Sequence, residues 1–280
     1  MKLPSKTKRI EADPLRYTGW LYGSEKIGKT TFLSSFPEAL FLSTEPGTKG
    51  LEIYEIEIHT WNEMRKAIRL LEKEPERFKT VIIDTADRAY DKCLACVCEE
   101  RGLSHPSDED DFGKTWHAIR SEFTDIVQRI IESGRGLWFT SHAHEMQIKT
   151  RSGEKYTIVR PTASNQATSI IRPLVDWIFY AEYVRDMRGE VRRILITSGD
   201  DRVMAGFRKP AKFPAILPLL EENGYEMLVR AFKGAERGID AKELLPSRDT
   251  TTAGKELLKK KRQTRKEVAP GPSAKKKMVR

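Results

Sequence analysis

The residues with the clearest chemistry are Gly23-Ser24-Glu25-Lys26-Ile27-Gly28-Lys29-Thr30, which match G-x-x-x-x-G-K-[ST] at every fixed position. Such a loop suits a triphosphate. Glycines at its ends let successive backbone N–H groups turn inward toward phosphate oxygens, and a helix starting at the loop adds its N-terminal dipole. Lys29 would place an ammonium on the β- and γ-phosphates, the Thr30 hydroxyl would ligate Mg²⁺, and Thr31 continues the run of backbone donors. The motif therefore implies ATP and Mg²⁺ as ligands.

A phosphate loop needs a carboxylate to hold the metal. Val81-Ile82-Ile83-Asp84 ends an apolar run with one, so Asp84 is expected at the C-terminal edge of a strand, facing the crevice. Its alternative role is to cap the helix that follows. Thr85 comes next, so no glutamate adjoins the metal carboxylate. Glu45 closes Phe41-Leu42-Ser43-Thr44-Glu45 and could orient the attacking water if that strand lies beside the Asp84 strand. A turn residue beside Pro46-Gly47 is the other reading. His142, in Ser141-His142-Ala143-His144, could touch the γ-phosphate and report its presence, or simply be a hydrogen-bonded histidine at a strand end.

Positioning these groups requires strands alternating with helices. Strands are expected over Tyr17–Tyr22, Ala39–Thr44, Thr80–Asp84 and Gly136–Ser141, all continuously apolar. Helices are expected over Lys29–Phe36, Trp61–Lys73, Arg88–Arg101 and Lys114–Ser133. That pattern implies an α/β fold with a mainly parallel sheet covered on both faces. Beyond Ser141 the texture changes. Gln147–Arg160 reads as a hairpin turning at Ser152-Gly153, and Trp177–Tyr183 and Arg192–Thr197 read as added antiparallel strands. Pro214–Leu220 and Tyr225–Phe232 read as closing helices.

The apolar fraction of 39% lies below the ~45–50% of globular domains, so part of the chain is expected outside the core. From Asp249 onward, eleven Lys or Arg against three Asp or Glu carry +8 of the total +9, leaving the body nearly neutral. The division expected is a flexible lead over 1–14, a nucleotide domain over 15–246, and a disordered basic tail over 247–280. Cys93, Cys96 and Cys98 could ligate zinc with His105. On a helix Cys98 points away from the other two, which favours small buried residues in a reducing cytoplasm. No run reaches the ~18 apolar residues of a membrane span, and a cytoplasmic protein is the expectation.

Taken together, the chain resembles the RecA-like ATPases, and more closely the phage-encoded RecA-like AAA ATPases linked to single-strand annealing and recombination. The resemblance rests on Gly23–Thr30, Leu42-Ser43-Thr44-Glu45-Pro46-Gly47-Thr48, Val81–Asp84 and Phe139-Thr140-Ser141-His142, over roughly residues 15 to 235. It implies a RecA-like fold, Glu45 as the catalytic glutamate, Asp84 as the metal carboxylate, and a homo-oligomer, ring or filament, with ATP at subunit interfaces. His142 stands where RecA has glutamine. A basic residue supplied in trans is also implied, with Arg208 and Arg202 as candidates; a solvated surface arginine is the plainer reading of each.

The resemblance further implies single-stranded DNA as partner. Lys149, Arg151, Lys155 and Arg160 surround Tyr156 on the expected hairpin, a composition suited to backbone contact plus base stacking. The tail could add phosphate contacts or bind a single-strand-binding protein. Two other functions compete: a nucleotide-gated adaptor for an annealing protein, and a small-molecule nucleotide kinase, for which no arginine-bearing lid can be placed. A GTPase is disfavoured because no N-K-x-D motif occurs.

Overall fold

The computed structural model describes residues 3, 5–7, 11–108, 110–150, 153–208 and 213–245. Arg151 and the tail from 247 to 280 lie outside the described residues.

After a single 3-10 turn at Pro14–Arg16, the elements run β1 (Thr18–Gly23), α1 (Lys29–Ser34), β2 (Ala39–Ser43), β3 (Tyr54–Glu57), α2 (Trp61–Lys73), β4 (Thr80–Asp84), α3 (Ala86–Glu100), α4 (Lys114–Glu132) and β5 (Gly136–Lys149). They continue with β6 (Lys155–Pro161), α5 (Asn165–Leu174), β7 (Trp177–Asp186), β8 (Val191–Ile196), β9 (Gly206–Phe207), β10 (Ile216–Pro218), α6 (Gly224–Phe232) and β11 (Leu244–Leu245). The sheet order is β10-β8-β7-β1-β5-β4-β2-β3, with β9 and β11 on β7 and β6 on β5. From β7 to β3 every neighbour is parallel, and β8 and β10 add antiparallel strands at the other edge. This is the RecA-like P-loop architecture, in which one strand, β5, separates the loop-bearing β1 from the Asp84 strand β4.

The continuous apolar runs have their physical reason in this layering. Strand side chains alternate between faces, so both faces of β1, β2 and β4 must be apolar to be covered. Trp20, Tyr22, Val81 and Ile83 pack under α2, α3, α4 and α5. Leu21, Phe41, Ile82 and Trp138 pack under α1 and α6. Helix α2 starts where the sequence requires, because Thr60 and Glu63 form a reciprocal capping box.

Several expectations need correction. The segment expected as a helix over Pro214–Leu220 contains a strand, β10, pairing Ile216, Leu217 and Pro218 with Ile194, Leu195 and Ile196. Prolines at 214 and 218 bracket too few residues for a helix, and Pro218 sits on an edge strand where its missing N–H is tolerated. Strand β7 is antiparallel to β8 but parallel to β1, so it extends the main sheet. The strand expected to stop at Ser141 continues through His142 to Lys149. Strand β3 and helix α5 carried no sequence expectation; Tyr54, Glu55 and Glu57 of β3 are exposed at the sheet edge.

Candidate nucleotide site

At the C-terminal edge of the parallel strands a cleft of about 610 Å³ opens between the β1–α1 loop and the loop after β2. Its lining includes Glu25, Lys26, Gly28, Lys29, Thr30 and Thr31 on one side, and Glu45, Pro46, Gly47, Gly50 and Leu51 on the other, with Asp84, Thr85 and His142 at its base. Ile27 turns away into the core.

The two loop glycines are required for different reasons. Gly28 has φ 109°, a left-handed conformation costly to any residue with a Cβ. Gly23 is needed for room, since a Cβ there would lie 2.5 Å from the Ala181 carbonyl oxygen on the adjacent β7. Lys29 is buried at 6% exposure and its Nζ donates to the carbonyls of Gly23 at 2.9 Å and Ser24 at 2.8 Å. Burial lowers its pKa from the ordinary value, and the carboxylates of Asp84 and Glu45 oppose that shift. The ammonium is thus held at the centre of the loop.

The parallel pairing of β2 with β4 sets Ser43 beside Asp84. Glu45 therefore emerges two residues later into the cleft that Asp84 faces. Thr30 Oγ1 donates to Asp84 Oδ2 at 2.8 Å. A hydroxyl and a carboxylate converging at the mouth of a phosphate loop are hard oxygen donors, and that chemistry fits Mg²⁺. The other Asp84 oxygen, Oδ1, accepts from Thr140 Oγ1 of β5. Asp84 is therefore oriented from both sides.

Glu45 faces His142 across the cleft, with Nε2 to Oε1 at 3.2 Å. Arg88 Nε lies 3.9 Å from the second Glu45 oxygen. Ser43 Oγ, Thr85 Oγ1 and His142 Nδ1 are buried with no hydrogen-bond partner among the described residues. Beneath the cleft, Asp87 of α3 accepts from Ser141 Oγ at 2.5 Å and from Thr162 Oγ1. Ser141 in turn accepts from Trp20 Nε1 at 3.0 Å. A chain of side-chain hydrogen bonds therefore links the loop-bearing strand, the Asp84 strand's helix and the base of the β5–β6 hairpin.

The structure brings together the loop residues, Asp84, Glu45 and His142. Neither Arg208 nor Arg202 lines the cleft of its own chain, as a residue supplied by a neighbouring subunit would not. Arg208 follows β9, which pairs with the N-terminal end of β7, opposite the edge that carries the phosphate loop. On the hairpin, Lys149 pairs with Lys155 and Ile148 with Tyr156. Strand alternation consequently places Lys149 and Lys155 on one face and Tyr156 with Arg160 on the other. Among the described residues, Tyr156 thus shares its face with Arg160 and not with Lys149 or Lys155, and Arg151 lies outside them. Cys93, Cys96 and Cys98 are all buried along α3, and His105 is exposed.

Sequence reasoning missed Thr140, Asp87, Arg88 and Thr162. The one available signal was Thr140-Ser141, two hydroxyls ending an otherwise apolar strand.

Comparison with known proteins gives three matches. A model of the AAA_24 family, an AAA domain, matches residues 15–209. The SPbeta prophage-derived uncharacterized protein YorG of Bacillus subtilis (strain 168) is 26% identical over 130 residues, which is 45% of this chain and 40% of that protein. The match thus spans under half the length of that relative. A KaiC-like protein, PH0186, from Pyrococcus horikoshii OT3 superposes with a TM-score of 0.41 at 14% identity, covering 70% of this chain and 84% of that one. Among the described residues, no helix is long and apolar enough to cross a membrane.

Proposed function

The chain belongs to the AAA_24 family of AAA domains, and from that premise we propose that it hydrolyses ATP while acting on single-stranded DNA, in recombination, annealing or repair of the phage type. The observation that carries the hydrolytic part is the convergence of Thr30 Oγ1 on Asp84 at 2.8 Å with the Glu45–His142 pair beside the same cleft. A binding-only site would need the loop but no carboxylate with access to the γ-phosphate. The prophage origin of the Bacillus relative accords with the biological setting, and the exposed Lys149–Lys155 pair supplies backbone-binding charge.

In this reading the loop amides and Lys29 hold the β- and γ-phosphates, and Thr30 with Asp84 holds magnesium. Magnesium, when bound, neutralises charge developing on the phosphate oxygens. Glu45 orients the attacking water and accepts its proton, while His142 fixes the Glu45 carboxylate. Thr140 holds Asp84 in register.

The test is phosphate release and oligomer mass, each measured with and without single-stranded DNA. Stimulation by the strand, abolished by Lys29→Ala, is the expected result. Turnover indifferent to DNA over a range of salt would remove the nucleic-acid half and leave an ATPase.

A further inference from the structure

A second cleft, of about 280 Å³, lies between the C-terminal end of α5 and the loop running from β8 to β9. It is separate from the nucleotide cleft and shares no lining residue with it. Three guanidinium groups line it, from Arg160, Arg172 and Arg208, beside the apolar surfaces of Val175, Met204 and Phe207. Among the described residues none of the three arginines is within salt-bridge distance of a carboxylate.

Two of them are nevertheless held in place. Arg208 Nη2 donates to the Pro173 carbonyl at 2.6 Å, near the end of α5. Arg160 Nη1 donates to the carbonyls of Val159 at 3.0 Å and Arg202 at 3.2 Å. Neutral carbonyls position a guanidinium without cancelling its charge, and each side chain keeps further N–H donors. The two carboxylates in the lining keep their charge as well, each oriented by neutral donors through one oxygen. Asp176 Oδ2 accepts from Thr18 N at 3.1 Å and Thr18 Oγ1 at 2.9 Å, and Asp200 Oδ1 accepts from Arg202 N at 2.8 Å and Val203 N at 2.9 Å. Three guanidinium groups against two carboxylates leave the lining with a net positive charge of one, and two of its arginines are preorganised.

We propose that this cleft binds the phosphodiester backbone of single-stranded DNA. The inference rests on the polynucleotide reading above and adds a site that the reading did not contain. Fork-shaped guanidinium donors match phosphate oxygens, and the adjacent half-buried Phe207 offers an apolar surface against which a base can lie. Arg160 belongs both to this cleft and to strand β6 of the basic hairpin. Arg160 shares its hairpin face with Tyr156, opposite Lys149 and Lys155, so a strand reaching the cleft runs along the Tyr156 face.

The experiment uses the full chain and a fluorescent oligothymidylate, with anisotropy recorded across a salt series. Arg172→Glu is the main variant, because Arg172 is exposed on α5, and Arg172→Gln serves if the charge reversal fails to fold. Calorimetry with Mg-ATP and thermal melting report whether the nucleotide site and fold persist. The expected result is binding weakened about 3- to 10-fold near 0.1 M salt, with the log–log salt slope reduced by about 0.7 per cation removed, and ATP binding unchanged. Wild-type affinity and slope in both Arg172 variants and in Arg208→Gln would overturn the cleft while leaving DNA binding intact. An unchanged oligonucleotide affinity with a loss of ATP-dependent oligomer mass would also overturn it and assign the cleft to a second copy of the chain. Absence of oligonucleotide binding by the wild type would sink the polynucleotide reading itself, and the cleft proposal with it.

Discussion

His142 Nε2 lies 3.2 Å from Glu45 Oε1 although the two residues are 97 positions apart. Strand β5 carries one and the end of β2 leads to the other, with β4 between them. The imidazole therefore holds the carboxylate that we propose orients the attacking water, and the two residues should act as a unit.

That pairing separates binding from chemistry. Glu45→Gln should retain Mg-ATP affinity within a few-fold and lose about 10²–10⁴ in turnover, the range for a positioned general base. His142→Ala should lower turnover by about 10- to 100-fold, the cost of losing one orienting hydrogen bond to a charged group. Steady-state phosphate release combined with calorimetry measures both quantities. Equal losses of affinity and turnover in Glu45→Gln would assign Glu45 to ground-state binding.

Thr140 should matter to the metal without touching the nucleotide. It is fully buried and donates to Asp84 Oδ1. Thr140→Val preserves shape and removes the donor, so a buried carboxylate oxygen loses its partner at about 1–3 kcal/mol. The expected outcome is a lower Tm together with a higher Mg²⁺ requirement for ATP binding. Thr140→Ser, which restores the hydroxyl, should recover the Mg²⁺ dependence.

Gly23→Ala tests the close approach of β1 and β7. The added methyl meets the Ala181 carbonyl oxygen at 2.5 Å, and backbone on both sides leaves little room to relax. A destabilisation of about 1–3 kcal/mol is expected in denaturant titration, along with weaker nucleotide binding. Unchanged stability would show that the two strands can part at the loop.

Glu182 supplies a pH signature. Burial, reinforced by Glu145, raises its pKa in the folded protein. The unfolded chain thus releases this proton at lower pH than the folded one, and stability falls as pH rises from the ordinary glutamate range through the raised folded value. Glu182→Gln removes the charge and nearly keeps the shape. It should raise Tm at pH 8 and bring no gain at pH 4, where the wild-type side chain is already protonated. A gain of equal size at both pH values would point to packing in place of ionisation.

Much of the fold was legible because its signals are local. Four strands of the sheet core are short apolar runs, and Trp61–Lys73 is a helix with the bounds that its periodicity implies. The errors fall where periodicity is short or interrupted. Ile216–Pro218 has too few residues to distinguish strand from helix, and its pairing with β8 decided the matter. Strand β3 escaped notice because an edge strand exposes polar side chains on both faces.

By itself the sequence determined that a phosphate loop exists, because eight consecutive residues carry its glycines, ammonium and hydroxyl, and backbone geometry does the rest. It also determined that Asp84 ends a strand, whereas Glu45, expected to close one, lies two residues beyond β2. Only the tertiary structure decided what those carboxylates meet: Thr140 against Asp84, His142 against Glu45, Asp87 beneath them, and three arginines gathered into a second cleft. Such meetings depend on strand order and register, which are set by packing between segments far apart in the chain and leave no mark in any one stretch of it.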